Sequence, residues 1–165
     1  MNLIPFVQRL SAAVVAKDKS EIEEVCFDLE YTQLECEFWS QEVFDFFANA
    51  LQDKATCSVK GSSSLVMSLY NDFDKLTKPQ IANLLVIFDE NAEDYGDEML
   101  RHSVSDMVAR KYPAETAMKL FKQWRQSNSS ERLHMAQVGL EVLIMAGRLD
   151  PNAEKSARLL LGLNK

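Results

Sequence analysis

The chain has 165 residues, of which 47% are hydrophobic and 26% are charged, and its formal net charge is −7. This is an ordinary globular composition, and the scarcity of glycine and proline, 5 and 4 residues, favours an all-α fold. No run reaches the roughly 18 uncharged apolar residues of a membrane span. The N-terminus lacks the basic region of a signal peptide, so we expect a cytoplasmic protein.

Three helices are predicted before residue 56. Apolar residues at helical spacing from Leu3 to Val14 predict the first. Ser20 and Glu23, at capping-box spacing, predict the start of the second, and Ser40 is the expected N-cap of the third. We interpret the following segment, Thr56 to Ser64, as a helix-to-helix loop rather than a domain joint, because neither side is large enough to stand alone.

Residues 77–149 predict two consecutive helical hairpins. Helix starts are expected where capping residues and prolines recur. These are Thr77 with Gln80, Pro113, Asn128 with Glu131, and Asp150 with Pro151. The prolines at 79, 113 and 151 lie 34 and 38 residues apart, a spacing typical of stacked helix pairs.

This paired-helix period resembles HEAT/armadillo-type α-solenoids over residues 64–163. The resemblance and the recurring helix starts predict an all-α chain with a short stack of antiparallel helical hairpins and about nine helices. We expect one domain over residues 1–165, with an N-terminal subregion at 1–60 and hairpin repeats over 64–163.

No catalytic, cofactor-binding or metal-binding motif is present. The chain lacks G-x-S-x-G, P-loop and G-x-G-x-x-G sequences, and its three cysteines show no CxxC spacing. His102 and His134 fall in corresponding helices of adjacent hairpins, which could bring them near each other, but a metal site needs three or four ligands. We therefore expect structural histidines, a buried Cys26, no cofactor and no enzymatic activity.

The charge is distributed unevenly along the chain. Residues 1–60 have a net charge of −6, residues 61–112 of −4, and residues 113–165 of +3. The acidic part should repel nucleic acid and attract basic surfaces, although an acidic balance also keeps a protein soluble. In the basic part Lys122 and Arg125 flank Trp124, as in a nucleic-acid stacking surface. A solvated helix face is the better interpretation, so no nucleic-acid or membrane partner is expected.

Two acidic and aromatic segments predict where a protein partner binds. One contains Glu35, Glu37, Phe38, Trp39, Glu42 and Asp45. The other, which we call the acidic segment, contains Asp89, Glu90, Glu93, Asp94, Tyr95, Asp97 and Glu98. Tyr95 is expected to be an exposed anchor among carboxylates that steer a basic partner. As alternatives, Asp97 and Glu98 can favour a helix N-terminus, and Trp39 is expected in the core more than at the surface.

The small, acidic, helical chain without catalytic motifs also resembles immunity proteins of contact-dependent growth-inhibition systems. Such proteins bind and neutralise a cognate toxin, often a basic nuclease. The resemblance implies an immunity protein that covers the active site or substrate groove of a basic toxin. The alternative is a HEAT-like regulatory adaptor or scaffold that binds a peptide or a protein subunit.

Overall fold

The computed structural model describes residues 1–163 and contains nine α-helices in that range. They are α1 Ile4–Ala16, α2 Lys19–Tyr31, α3 Gln41–Ala50, α4 Ser63–Asn71, α5 Lys78–Asn91, α6 Glu98–Lys111, α7 Ala114–Arg125, α8 Ser130–Met145 and α9 Pro151–Leu160. Short 3₁₀ turns occupy Thr56–Ser58, Phe73–Lys75 and Ala92–Asp94. No β-strand occurs in the described residues, so the all-α prediction and the expected number of helices are confirmed. Within residues 1–163, each helix is too short or too polar to span a membrane.

Local side-chain caps set most of the predicted helix starts. At α5 the side chain of Thr77 accepts a hydrogen bond from the backbone of Gln80, and the side chain of Gln80 accepts one from the backbone of Thr77. Ser40 caps α3 and Asp150 caps α9 in the expected way. These bonds satisfy N–H groups of the first helical turn that have no partner inside the helix.

Two predicted caps are displaced by one or two residues. The cap of α2 is Asp18, whose carboxylate accepts from the backbone N–H of Glu21, and not Ser20. Lys17 ends α1 in a left-handed conformation at φ 54°, so the chain turns directly into α2. The cap of α8 is Ser129 and not Asn128, because the Ser129 hydroxyl accepts from the backbone of Arg132.

The chain forms two compact units, which we call unit 1, Met1–Leu100, and unit 2, Arg101–Lys165. The boundary falls within α6. The predicted loop at 56–64 lies inside unit 1, where it leads into α4. It therefore joins two helices of one unit, as expected, while the single-domain organisation over 1–165 stays a prediction.

In unit 1, α1 packs on α2, α2 packs on α4, and α3 packs on α5. Trp39 ties the connection before α3 to the one before α5. Its backbone N–H donates to the carbonyl of Lys75 at 3.0 Å, and its indole Nε1 donates to a carboxylate oxygen of Asp72 at 2.9 Å. Gln80 donates to the Trp39 carbonyl. The indole is 2% exposed, which confirms its predicted place in the core.

In unit 2, α7 and α8 pack as a helical hairpin and α9 contacts both. The buried ring of Phe121 lies against α8 at Gly139, where a Cβ atom would come within 2.2 Å of the ring. Trp124 is completely buried beside Phe121, with ring centroids 5.8 Å apart. It therefore offers no surface on which a base could stack.

Candidate functional site

The acidic segment connects α5 to α6 in unit 1. Asp89 and Glu90 lie in the last turn of α5, and Glu93 and Asp94 lie in the 3₁₀ turn that follows. The carboxylate of Asp97 accepts from the backbone N–H of Leu100 at 3.0 Å. Asp97 therefore favours the start of α6, which was one of the two predicted roles for this residue.

Tyr95 is the part of the acidic segment for which the sequence prediction is wrong. Its side chain is completely buried, and its hydroxyl donates to the carbonyl of Ile87 at 3.5 Å. Burial raises the pKa of this phenol, and neighbouring Cys57 and Asp94 raise it further. The ring packs beneath the connection that carries it, so it cannot be an exposed anchor for a partner.

Three contacts hold the acidic segment against residues 54–58, which include the turn Thr56–Ser58. The backbone N–H of Asp97 donates to the carbonyl of Cys57 at 3.1 Å. Gly96 lies so close to Ser58 that a Cβ atom on the glycine would be 2.9 Å from the serine Oγ. Lys54 forms an ion pair with Asp94 at 3.1 Å. A distant lysine thus relieves part of the charge repulsion within the segment, although the segment itself contains no lysine.

The other predicted segment is divided between core and surface. Trp39 lies in the core, as described above, and is not available to a partner. Phe38 is 51% exposed, and the side chain of Glu42 is 65% exposed. Asp45 accepts a hydrogen bond from the side chain of Gln41 at 2.7 Å, one turn earlier in α3. Binding of a partner by Glu42 and Asp45 stays a prediction.

An exposed aromatic surface on α2 was missed by the sequence analysis. Phe27 is 65% exposed, Tyr31 is 64% exposed, and their ring centroids are 6.3 Å apart. Leu34, one turn beyond Tyr31, is 54% exposed. We call these three residues the α2 aromatic face. The available signal was the position of Phe27 and Tyr31, four residues apart and off the buried stripe of Ile22, Val25, Cys26 and Leu29.

Carboxylates surround the α2 aromatic face. Glu23, Glu24 and Glu30 are three or four residues from Phe27 on the same helix, a spacing that makes their side chains its neighbours. Glu23 forms an ion pair with Lys19, and Glu30 accepts a hydrogen bond from Asn71. Glu24 is exposed and has no ion pair among residues 1–163. The surface thus combines large apolar rings with negative charge.

The two histidines meet in unit 2, in agreement with their corresponding positions in the predicted hairpins. The ring centroids of His102 and His134 are 5.0 Å apart. The Nε of Arg101 donates to Nδ1 of His134 at 3.1 Å, which places the proton of a neutral His134 ring on Nε2. Glu98 precedes His102 by one turn of α6, and residues of these types can ligate a metal. A metal ion that bound His134 would have to displace either the hydrogen bond from Arg101 or the Nε2 proton. It would also lie next to the guanidinium cation of Arg101.

Comparisons of the chain with protein-family models, with curated proteins and with solved structures found no match.

Proposed function

We propose that this chain is a non-enzymatic protein-binding module, and that unit 1 binds a basic protein through the α2 aromatic face and its carboxylates. In its specific form the module is an immunity protein that binds and neutralises a basic toxin such as a nuclease. The observation that carries the proposal is the pair of exposed rings at Phe27 and Tyr31 on an acidic helix. Exposed apolar patches that are rimmed by polar residues mark interaction sites in many soluble proteins.

The distribution of charge supports a basic partner. Unit 1 has 19 acidic and 7 basic side chains, a net −12, and unit 2 has 6 acidic and 11 basic side chains, a net +5. A surface of one sign accelerates encounter with a partner of the opposite sign, and buried aromatic side chains then slow dissociation. We therefore propose that the carboxylates accelerate association and that Phe27 and Tyr31 slow dissociation.

A regulatory adaptor or scaffold is the second candidate, favoured by a separate feature of unit 1. A groove of about 450 Å³ runs between α1 and α3 and continues to the turn at Thr56. Its apolar lining includes Val7, Val14 and Phe46. A helical peptide with apolar residues at helical spacing fits such a groove. In this case the acidic residues would be a solvated surface without a part in binding.

The test uses the partner that the immunity proposal implies. This is the C-terminal domain of the large toxin whose gene would lie directly upstream of the gene for this chain. Binding rates are measured by biolayer interferometry at low and physiological salt, together with the toxic activity of the domain. Replacing Phe27 and Tyr31 by alanine should raise the dissociation rate about 30-fold, which corresponds to about 1 kcal/mol for each ring. The matched control is Met145→Ala, which removes a side chain that is 75% exposed in unit 2.

Charge reversal separates the two acidic surfaces. Glu23→Lys with Glu24→Lys should slow association mainly at low salt, because exposed charges act through steering. Glu90→Lys with Glu93→Lys makes the same change on the acidic segment and leaves the Lys54–Asp94 ion pair in place. Normal binding by the aromatic double variant would place the contact away from α2. Absence of binding by the unaltered chain would instead favour the adaptor, which binds a different partner.

A further inference from the structure

Unit 2 contains a pocket of about 490 Å³ that is separate from the surfaces described above. One side is formed by a face of α7, and the other by the connection between α8 and α9 and the first turn of α9. Its lining includes the two alanines Ala114 and Ala153 and the side chains of Lys119, Lys122 and Arg148. The pocket therefore combines an apolar part, from Met118, Leu149 and the two alanines, with three cationic side chains.

Arg148 is held in place by the backbone. Its Nη1 donates to the carbonyls of Ala109 and Tyr112, near the end of α6. Both bonds use the same nitrogen. Within residues 1–163, Nη2 and Nε of Arg148 form no hydrogen bond. A guanidinium that is already fixed loses little conformational entropy when its remaining N–H groups bind a carboxylate or a phosphate in a bidentate manner.

The two lysines are not neutralised within the described chain. Lys119 and Lys122 are exposed, lie three residues apart on one face of α7, and form no ion pair in residues 1–163. Like charges at this spacing repel each other on the surface of a helix. Glu115 lies one turn before Lys119 but does not pair with it. In the free protein the lysine repulsion is therefore not offset by a neighbouring carboxylate.

The remaining polar groups of the pocket limit the charge of its ligand. The pocket reaches the first turn of α7, whose N-cap is Pro113 and which has no side-chain cap, so the positive end of the helix dipole adds to the cations. Asp150 is engaged at α9, where its carboxylate accepts from the backbone N–H of Ala153 at 2.8 Å. With Asp150 and Glu115 present, three cations and two carboxylates suit an anion of one or two charges better than a polyanion.

We propose that this pocket binds a small organic anion, in which a carboxylate or phosphate group meets Arg148, Lys119 and Lys122 and an apolar body contacts Met118 and Leu149. The proposal does not depend on the protein-binding function of unit 1. The shared chemistry is a planar or tetrahedral oxyanion attached to an apolar chain or ring.

The test is titration of the ¹⁵N-labelled full chain, followed by amide chemical shifts. The probes are hexanoate, phenyl phosphate, the neutral isostere hexanamide, and inorganic phosphate without an apolar body. Hexanoate or phenyl phosphate should bind saturably, with Kd on the order of 1 mM for so small a ligand. The shift changes should be concentrated at residues 114–122 and 148–153. The stronger of the two probes identifies the preferred anionic group.

The variants test the role of the charges. Lys119→Ala with Lys122→Ala should weaken binding about tenfold, as expected when charge-assisted contacts are removed. Lys60→Ala with Lys78→Ala is the matched control, since it removes two exposed lysines of unit 1, and it should leave Kd unchanged. Equal binding of hexanamide, equal affinity for inorganic phosphate, equal weakening by the control pair, or no saturable shift with any probe would each overturn the proposal.

Discussion

Gly139 is the position in α8 at which a single added methyl group should be most damaging. A Cβ atom there would lie 2.2 Å from Cζ of Phe121 and 2.4 and 2.5 Å from its two Cε atoms. Ordinary contacts begin at 3.4 Å, so the ring or the helix must move by more than 1 Å. The Phe121 ring is completely buried and packs on Trp124, so it must displace neighbouring core atoms in order to move away from the new methyl group.

Two opposing terms set the effect of Gly139→Ala. Alanine favours the helix over glycine by about 1 kcal/mol, whereas overpacking of a core costs about 1–3 kcal/mol. Because the required displacement is large, we place the overpacking cost in the upper part of that range. The expected net loss in the free energy of unfolding is about 1–2 kcal/mol. Helix propensity alone predicts the opposite, a gain in the free energy of unfolding.

The assay is urea unfolding followed by Trp124 fluorescence, in a Trp39→Phe background so that the signal reports on unit 2. Phe121→Leu removes the ring atoms that the new methyl group meets. In that background Gly139→Ala should be neutral or stabilising, and the double-mutant cycle isolates the contact. The difference between Gln137→Gly and Gln137→Ala, at an exposed position of α8, measures helix propensity alone. A stabilising Gly139→Ala with Phe121 intact would refute the packing argument.

Three further predictions concern other groups. Burial raises the pKa of the Cys26 and Cys57 thiols to about 12. In the folded chain, therefore, exposed Cys36 alone should react rapidly with a disulfide reagent at about pH 8. A rapid phase that survives Cys36→Ser would contradict this. Hydrogen bonds from its own backbone N–H and from the hydroxyls of Ser130 and Ser129 lower the pKa of Glu131 below 4.5. Its carboxylate therefore stabilises the fold above that pH, and the contribution is lost as the pH falls through the folded-state pKa. Glu131→Gln should lower the free energy of unfolding by less than about 1 kcal/mol at neutral pH, and urea titrations at decreasing pH should show the difference vanish. Trp39→Phe removes the indole donor to Asp72 and should cost about 1–2 kcal/mol in unit 1, measured by circular dichroism; unfolding at an unchanged urea concentration would show that this bond contributes nothing.

Helix positions were predictable because their signals are local. Each helix start is marked by residues within one or two turns of it: a capping residue, a proline and apolar residues at helical spacing. Thr77, Ser40 and Asp150 cap their helices as expected. The errors at Ser20 and Asn128 arise where several residues with capping side chains stand together. The choice between them depends on how the preceding chain turns, as the left-handed Lys17 shows.

Exposure was less predictable because it depends on contacts far apart in the sequence. Tyr95 stands among carboxylates and was therefore expected at the surface, yet its burial depends on the turn at Thr56–Ser58 and on α5. Phe27 is an apolar residue of a type that is usually found in the core, yet it lies at the surface. The reason is that the opposite face of α2 makes the contacts with α1 and α4. Periodicity identifies two faces of a helix but does not say how many neighbours the helix has.

The buried Tyr95 also changes the interpretation of the carboxylates around it. Asp89 and Glu90 lie at the C-terminal end of α5, where the helix dipole disfavours negative charge by about 0.3–1 kcal/mol for each group. A flexible loop could move its carboxylates apart, but this one is fixed by the Tyr95 ring, by the bond from Asp97 to Cys57 and by the contact of Gly96 with Ser58. Lys54 relieves the repulsion at Asp94. The backbone of the segment is thus fixed, and a basic partner that bound its carboxylates would not have to order the loop.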